Sequence, residues 1–348
     1  MINYRKFSCG SAVAVLAGVA VAALALQPTQ AMAQKKWHIK IGMATMNDPQ
    51  QNWGERVGKE LQKRSGGRLT YMVFPASQLG KIPRQVEGIQ LGTQEMFLTP
   101  PGFLVGLNQA FMVPDAPGVY DSQKHAHATL TDPEFHDTFL ALAEDKGVLG
   151  AGLIIYEGTS IASTKPIRRP EDIAGMKIRV LATPMERAVP AAWGGTGVPI
   201  PFTEVVPALQ RGVVDACRSS IVAMNGLKFQ TVTKFATVLS GGYIPTAVWV
   251  SKVWANKLPA DLRKMVLSVP RELEDSTSKE VLTLIESTQQ AWRDAGVEII
   301  RFSPADQKRY LDKLRPLGDK YLAKHKNPQV REIYSLFRKV VEKHRPKS

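Results

Sequence analysis

The chain has 348 residues, of which 44% are hydrophobic, and this is enough for two globular domains with sizeable cores. Its formal net charge of +14 would suit nucleic acid, an anionic membrane or anionic ligands. The sequence has no zinc-ligand spacing, RNA-binding aromatic signature or helix-turn-helix pattern, which argues against a nucleic-acid partner. We interpret the charge as a solvated surface that helps to collect anions.

The first 33 residues have the pattern of a secretory signal peptide. Arg5 and Lys6 precede an apolar run over residues 12–26, and small residues follow up to Ala33. The apolar run is too short to span a bilayer comfortably. We therefore predict cleavage after Ala33 and a soluble periplasmic protein, with an uncleaved anchor as the alternative. Cys217 would then be the one remaining cysteine, so no intramolecular disulfide can form.

The first part of the mature chain alternates between strand and helix patterns. Strands are predicted over residues 37–44, 69–74 and 95–98, with a helix after each of the first two. This alternation indicates a parallel sheet with right-handed crossovers. Ligands bind beyond the carboxyl ends of such strands, so Thr99 and Pro100 are candidate site residues.

The next part lacks the signals of a metal or dinucleotide site. Residues 120–147 are predicted to be helical, and His125 and His127 are two positions apart, so they diverge on a helix. An apolar run from Val148 contains Gly150-Ala-Gly152 but not the third glycine of a dinucleotide fingerprint. A buried strand that crosses to a second domain fits this run better. We expect no metal and no cofactor.

Arg179 lies on a predicted strand over residues 176–181, pointing away from its apolar neighbours. Thr203 is a candidate N-cap for a helix that ends at Gly212, and a further strand is predicted over residues 213–216. Spacing alone favours a salt-bridged surface arginine, because charged side chains are usually solvated. Phe202 can likewise be explained by packing alone, as a core aromatic residue at the start of a helix.

The chain then returns through Gly241 and Gly242 to a strand over residues 246–251 and is mainly helical after Leu258. Two crossings suit a hinge, and glycines can absorb its rotation. We predict domain I over residues 34–156 and 245–270, domain II over 157–244, and a C-terminal helical region over 271–348. Tyr243 and Trp249 are candidates for an apolar wall of the binding site.

Several motifs occur together in a characteristic order. They are Phe74-Pro-Ala-Ser-Gln-Leu-Gly80, the strand with Arg179, Pro199-Ile-Pro-Phe-Thr-Glu-Val205, and Ala208-Leu-Gln-Arg-Gly-Val-Val-Asp215. In these motifs the sequence resembles the DctP-type solute-binding proteins of tripartite ATP-independent periplasmic (TRAP) transporters. The similar stretches cover most of the chain from about Ile39 to about Val269.

The resemblance implies a periplasmic binding protein-like fold, with two α/β domains joined by a hinge and a long helix across both. It implies capture of an organic acid anion in the interdomain cleft and delivery to a membrane permease. Arg179 would clamp a ligand carboxylate, since a guanidinium can make two parallel bonds to it. Phe202 would line the cleft and pack on the ligand body.

The sequence departs from the family pattern at Asp215-Ala-Cys-Arg-Ser-Ser220, where relatives commonly read Asp-Gly-Gln-Glu-Asn-Pro. Ser219 replaces an asparagine that usually bonds the ligand carboxylate, and Arg218 replaces the acid before it. Arg218 is either a second anion contact or a surface residue, and we favour the surface. The loss of polar groups indicates a less polar mono- or dicarboxylate, such as an aromatic, branched or keto acid.

Two other functions remain open at this stage. The alternatives are the binding component of an ATP-driven importer and an exported enzyme on the same fold, and the ordered motifs favour the TRAP solute-binding protein over the importer component. No Gly-x-Ser-x-Gly or His-Glu-x-x-His motif is present, so we expect no catalysis. We expect a monomer, with a dimer as the alternative if the C-terminal helix is swapped.

Overall fold

Two long strands, β4 (Val148–Ser163) and β8 (Phe235–Ser251), run antiparallel through the middle of a nine-stranded sheet. The computed structural model describes residues 35–346, and the residues from Trp37 onward form one compact unit. The predicted signal peptide and its cleavage site after Ala33 lie outside the described residues.

Six of the other strands form two parallel groups, one on each side of the long pair, and the seventh, β9, pairs with β8. The strands are β1 (Trp37–Met43), β2 (Leu69–Phe74), β3 (Met96–Thr99), β5 (Lys177–Val180), β6 (Thr196–Pro199), β7 (Ala216–Ser219) and β9 (Glu298–Arg301). The sheet order is β2-β1-β3-β8-β4-β7-β5-β6, and β9 pairs with β8. β1 pairs in parallel with β2 and β3, and β5 pairs in parallel with β6 and β7. We call these the first group (β2-β1-β3) and the second group (β7-β5-β6).

Helices cover both faces of each group. They are α1 (Pro49–Arg64), α2 (Ile82–Leu91), α3 (Gln123–Leu130), α4 (Pro133–Leu140), α5 (Pro184–Ala191), α6 (Val205–Gln210), α7 (Ile221–Gly226), α8 (Lys252–Ala255), α9 (Ala260–Glu272), α10 (Glu274–Asp294), α11 (Pro304–Gly318) and α12 (Pro328–His344). Four hydrophobic clusters, which contain Phe111, Trp53, Phe229 and Ile178 respectively, fill the spaces between sheet and helices. Within residues 35–346, none of the helices combines the length and apolar character that a bilayer crossing requires.

Element boundaries near the second group differ from those predicted. Thr203 caps no helix, because a 3₁₀ turn over Phe202–Glu204 leads directly into α6. The strand predicted over residues 213–216 begins only at Ala216, since Val213 lies in the turn after α6 and is 49% exposed. β9 was not predicted, because four residues between two helices carry little periodicity.

The long helix α10 contacts both groups, as the resemblance implies. At its first turn, Arg56 of α1 donates hydrogen bonds to Ser276 and Thr277. Near its end, the indole Nε1 of Trp292 donates to Asn225 Oδ1 of α7 at 3.1 Å. The helix therefore ties the first group to the second.

Glu274 fixes the start of α10 against β4. Its Oε1 accepts hydrogen bonds from the backbone N–H of Leu153 at 2.8 Å and from His136 Nε2 at 2.9 Å. Leu153 lies just beyond a register shift in β4, at Gly150 and Gly152, where the regular ladder is interrupted. The carboxylate thus satisfies a buried donor that stands next to this bulge.

We expect Glu274→Ala to lower the free energy of unfolding by about 2 kcal/mol or more, because two buried donors lose their acceptor. Glu274→Gln keeps an acceptor oxygen for Leu153 and should lose less. Urea unfolding followed by circular dichroism measures both values. Equal stability of the alanine variant and the wild type would show that the bulge needs no acceptor.

Candidate functional site

A cavity lies between the two groups, at the carboxyl ends of β1, β3, β5 and β7. Its empty volume, which includes its opening to solvent, is about 490 Å³. One wall comes from the first group and consists of Ala44, Thr45, Gln50, Thr99, Pro100 and Phe103, with Ile82 of α2. The opposite wall comes from the second group and consists of Arg179, Leu181, Phe202, Ser219, Ser220 and Ala223. Tyr156, Ile244 and Thr246 of the two long strands close the back.

Arg179 is 2% exposed and has no acidic partner. Its Nε donates to the carbonyl oxygen of Ile200 at 3.0 Å, and its Nη1 lies 4.0 Å from Cys217 Sγ. No carboxylate within residues 35–346 lies at ion-pair distance from this guanidinium. A buried charge without a counter-ion is unfavourable, so the site is suited to an anion from solution.

Cys217 does not supply the missing negative charge. Burial raises the pKa of its thiol to about 11, although the nearby Arg179 acts in the opposite direction. The thiol is therefore neutral at physiological pH, and the positive charge of Arg179 remains uncompensated.

Phe202 belongs both to the hydrophobic core of the second group and to the cavity wall. Its ring stacks on Phe229 with centroids 5.4 Å apart, inside the hydrophobic cluster of the second group. Its ring also lines the cavity, and the Cζ of Arg179 lies 5.1 Å from its centroid. The ring therefore limits the positions available to the guanidinium and offers an apolar surface to a ligand.

The structure brings five of the predicted site residues to one cavity, namely Arg179, Phe202, Ser219, Thr99 and Pro100. Thr99 is the last residue of β3, one position beyond the predicted strand end. Pro100 directly precedes a 3₁₀ turn over Pro101–Leu104, so its backbone conformation is restricted at the cavity wall.

Arg218 was favoured as a surface residue, and this is wrong. Its side chain is buried, forms an ion pair with Glu186 of α5 and donates to Thr159 Oγ1 at 3.3 Å. It is not among the residues that line the cavity. The sequence did not reveal this, because its acidic partner lies 32 positions away on another element.

Tyr243 and Trp249 also lie outside the cavity lining. Tyr243 packs edge-on against Tyr120, with ring centroids 5.8 Å apart. Trp249 is fully buried beneath the cavity, where its Nε1 donates to the carbonyl oxygen of Thr99 at 3.2 Å. Trp249 therefore holds the end of β3 in place, whereas it was predicted to form the wall itself.

Some lining residues were not predicted. Tyr156 of β4 donates its hydroxyl to Asp48 Oδ2 at 2.8 Å. Asp48 also caps α1 by accepting from Gln51 N at 2.9 Å, and its burial raises its carboxyl pKa. The Asp48-Pro49 pair is a recognisable helix start, but the sequence has no signal that links it to Tyr156.

The histidines considered as metal ligands have other partners. His125 Nε2 lies 2.8 Å from the carbonyl oxygen of Val341, and His127 lies 2.9 Å from Asp275 Oδ1. In the part of the chain that the structure describes, no group of three histidine, cysteine or acidic residues is placed to hold a metal ion.

A second buried polar cluster lies behind the cavity. Asp115, at the end of a 3₁₀ segment (Gln109–Asp115), accepts a hydrogen bond from Thr183 Oγ1 at 2.9 Å. Burial and the charge of Glu186 raise the pKa of Asp115 to about 8, although the hydrogen bond from Thr183 and the charge of Arg218 act in the opposite direction. Asp115 is therefore mainly protonated at neutral pH.

This cluster makes stability depend on pH. The pKa of Asp115 is higher in the folded protein (about 8) than its ordinary value of 3.8, so its contribution is complete below pH 3.8 and is lost as pH rises through 8. Asp115→Asn keeps an acceptor for Thr183 but cannot ionise. We expect the variant to gain unfolding free energy relative to wild type as pH rises from 5 to 8, by up to about 1.4 kcal/mol per pH unit.

Urea unfolding at four pH values between 5 and 8 measures this difference. Asp145→Asn is the matched control, because Asp145 is exposed and its pKa lies below the usual value through its bond to Lys146. Burial also raises the pKa of Glu157 to about 7, so some slope should persist in the Asp115 variant. A constant difference between Asp115→Asn and wild type over this range would contradict the assignment.

The chain matches a known protein family and is similar to curated proteins of that kind. The model of the DctP family, described as bacterial extracellular solute-binding protein, family 7, matches residues 42–325. The 2,3-diketo-L-gulonate-binding periplasmic protein YiaO of Escherichia coli (strain K12) is 27% identical, over 84% of this chain and 89% of that protein. The C4-dicarboxylate-binding periplasmic protein DctP of Rhodobacter capsulatus is 29% identical, over 81% of this chain and 85% of that protein.

Solved structures share the fold. A TRAP periplasmic solute-binding protein from Desulfovibrio salexigens with bound orotic acid has a TM-score of 0.84 and 23% identity, over 89% of this chain and 100% of that one. The sugar acid binding protein DctPAm from Advenella mimigardefordensis, in complex with galactonate, has a TM-score of 0.83 and 22% identity, over 89% and 99%. The predicted periplasmic binding protein-like fold is thereby confirmed.

Proposed function

The chain belongs to family 7 of the bacterial extracellular solute-binding proteins (DctP), and we propose that it captures a small organic acid anion around Arg179 for delivery to a TRAP membrane permease. It acts as a binding protein without catalysis. Among similar structures are TRAP solute-binding proteins, which supports this partner over an ATP-driven importer. The curated relatives bind acids in the periplasm by name, which supports both the ligand class and export. Cleavage after Ala33 remains part of this proposal.

The observation that carries the proposal is the uncompensated charge of Arg179. The guanidinium is buried, lines the cavity and has no carboxylate partner among the described residues. A ligand carboxylate would supply the counter-charge and accept hydrogen bonds from its remaining N–H groups. Free protein leaves this charge unsatisfied, so binding is favoured without a competing internal ion pair.

Ligand contact with both groups would favour a closed cleft. We propose the two-domain division given above, with residues 34–156 and 245–270 on one side and 157–244 on the other. Two glycines permit close approach across the cleft. A Cβ on Gly226 of α7 would overlap the carbonyl oxygen of Met46, and a Cβ on Gly102 would overlap the side chain of Thr183. We propose that the protein acts as a monomer.

The test of ligand capture is isothermal titration and thermal shift of the processed protein with a panel of organic acids. We expect at least one acid to bind and to raise the melting temperature. Arg179→Ala should weaken that binding about 100-fold or more, because it removes one partner of a buried charged pair. The same variant should melt at an unchanged or higher temperature without ligand, since it removes an unpaired buried charge.

Arg187→Ala is the matched control, because it removes the same charge from the exposed face of α5. Its acid affinity should equal that of the wild type. Binding of neutral or cationic solutes in place of acids, or acid binding that survives in Arg179→Ala, would refute the carboxylate clamp.

A separate variant tests closure. Gly226→Ala places a methyl group against the backbone at Met46, so it should oppose the closed arrangement and weaken acid binding about tenfold or more. Gly106→Ala is the control, since a Cβ there meets no atom within 4 Å. Titration measures both affinities, and small-angle scattering measures compaction on binding. Wild-type affinity in Gly226→Ala would mean that this contact is not part of the bound state.

A further inference from the structure

Most polar side chains of the cavity are already bonded to one another. Gln50 donates through Nε2 to Thr45 Oγ1 and to the carbonyl oxygen of Leu98, each at 3.2 Å. Its Oε1 accepts from the hydroxyl of Thr246 at 2.7 Å. The hydroxyl of Thr45 also acts to lower the pKa of the Asp48 carboxyl. The donors of Gln50 and Thr246 are thus used within the protein.

The hydroxyls at the back of the cavity also donate hydrogen bonds to groups within the protein. Tyr156 donates to Asp48 at 2.8 Å, and Ser220 donates to Glu157 while it accepts from Ala223 N at 3.1 Å. A ligand hydroxyl placed against these groups would find no free donor, and it would have to break an existing buried bond to obtain one.

Two hydroxyls of the cavity differ from the rest. Thr99 is 1% exposed, and its Oγ1 is buried without any hydrogen-bond partner in the part of the chain that the structure describes. Ser219 is 6% exposed and also lines the cavity, and no hydrogen bond of its hydroxyl is found within residues 35–346. Buried polar atoms are normally satisfied, so the buried, unpartnered hydroxyl of Thr99 points to a ligand group.

These free groups lie on opposite walls. Ser219 ends β7, whose Cys217 is in register with Arg179 of the neighbouring β5, so the cation and one hydroxyl share a wall. Thr99 ends β3 on the other wall. The remaining lining is largely apolar, with Ile82, Phe103, Leu181, Phe202 and Ile244.

Charge limits the ligand further. Arg179 is the one basic side chain among the described residues that line the cavity, and Arg218 is already paired with Glu186 behind the wall. A second carboxylate on the ligand would enter the cavity without a cation, at a large desolvation cost.

We propose that the site selects a monocarboxylate with an apolar body and one hydroxyl or keto oxygen remote from the carboxylate, which Thr99 binds. Arg179 and Ser219 hold the carboxylate, and the apolar side chains hold the body. The site rejects dicarboxylates and polyhydroxylated sugar acids, in contrast to what several relatives bind by name. This inference rests on the proposed function, because it assumes that Arg179 binds a carboxylate.

The test compares matched acids by competition titration: 4-hydroxybenzoate with benzoate, and 4-hydroxyphenylacetate with phenylacetate, beside succinate and galacturonate. We expect each hydroxylated monocarboxylate to bind about tenfold more tightly than its parent, since it satisfies the Thr99 hydroxyl. Succinate and galacturonate should bind at least about 100-fold more weakly than the best monocarboxylate.

Two variants locate the effect. Thr99→Val has the same shape and removes an unpartnered hydroxyl, so it should fold normally and erase the difference within each pair while the parent acids keep their affinity. Ser219→Ala should weaken all the monocarboxylates by a similar factor, because it acts at the shared carboxylate.

The outcomes separate this inference from the function on which it rests. Tighter binding of succinate or galacturonate than of any monocarboxylate would overturn the inference, and so would an equal loss for every acid in Thr99→Val. In both cases sensitivity to Arg179→Ala would leave the proposed function standing. If no acid binds, or if Arg179→Ala leaves the affinity for the acids unchanged, both the proposed function and the proposed selectivity are wrong.

Discussion

One buried positive charge governs the design of the cleft. Arg179 is held by the carbonyl of Ile200 and by the ring of Phe202, but neither contact neutralises it, and burial keeps the adjacent thiol of Cys217 protonated. Water would normally solvate a guanidinium, and here the surrounding walls exclude most of it. The positive charge of Arg179 is therefore available to an anion from solution. It lies in the cavity between the two strand groups, so both groups can contact such an anion.

The rest of the fold positions those two groups. β4 and β8 continue from one group into the other, and α10 also connects them through Arg56 and Trp292. Register shifts along β4 and β8 mark the places where the ladder departs from regular geometry. Contacts across the cleft include the hydrogen bond of Thr183 to Asp115 and the ion pair of Lys81 with Glu204.

Arg218 shows how a motif can change its chemistry without loss of the fold. The family pattern that the sequence resembles has an acid at this position of β7, and here Arg218 takes its place. The acidic partner comes instead from Glu186 of α5, so the position remains charged, buried and paired. Asp115 shares the same cation and stays protonated as a result, which leaves the cluster close to neutral. Arg218 is thereby absent from the cavity lining, and Arg179 is the one cation that lines the cavity among the described residues.

The sequence by itself determined the alternation of strands and helices, the family and the place of Arg179, Phe202, Ser219, Thr99 and Pro100 at one cavity. Periodicity and motif order are local properties, and residues at the carboxyl ends of neighbouring strands must meet. The pairing of Arg218 with Glu186, the burial of Trp249 beneath Thr99 and the mutual saturation of Gln50, Thr45 and Thr246 were decided only in the tertiary structure. Each of these contacts joins side chains from segments that are far apart in the sequence but share a low-dielectric interior. A local sequence pattern carries no information about which distant segments meet.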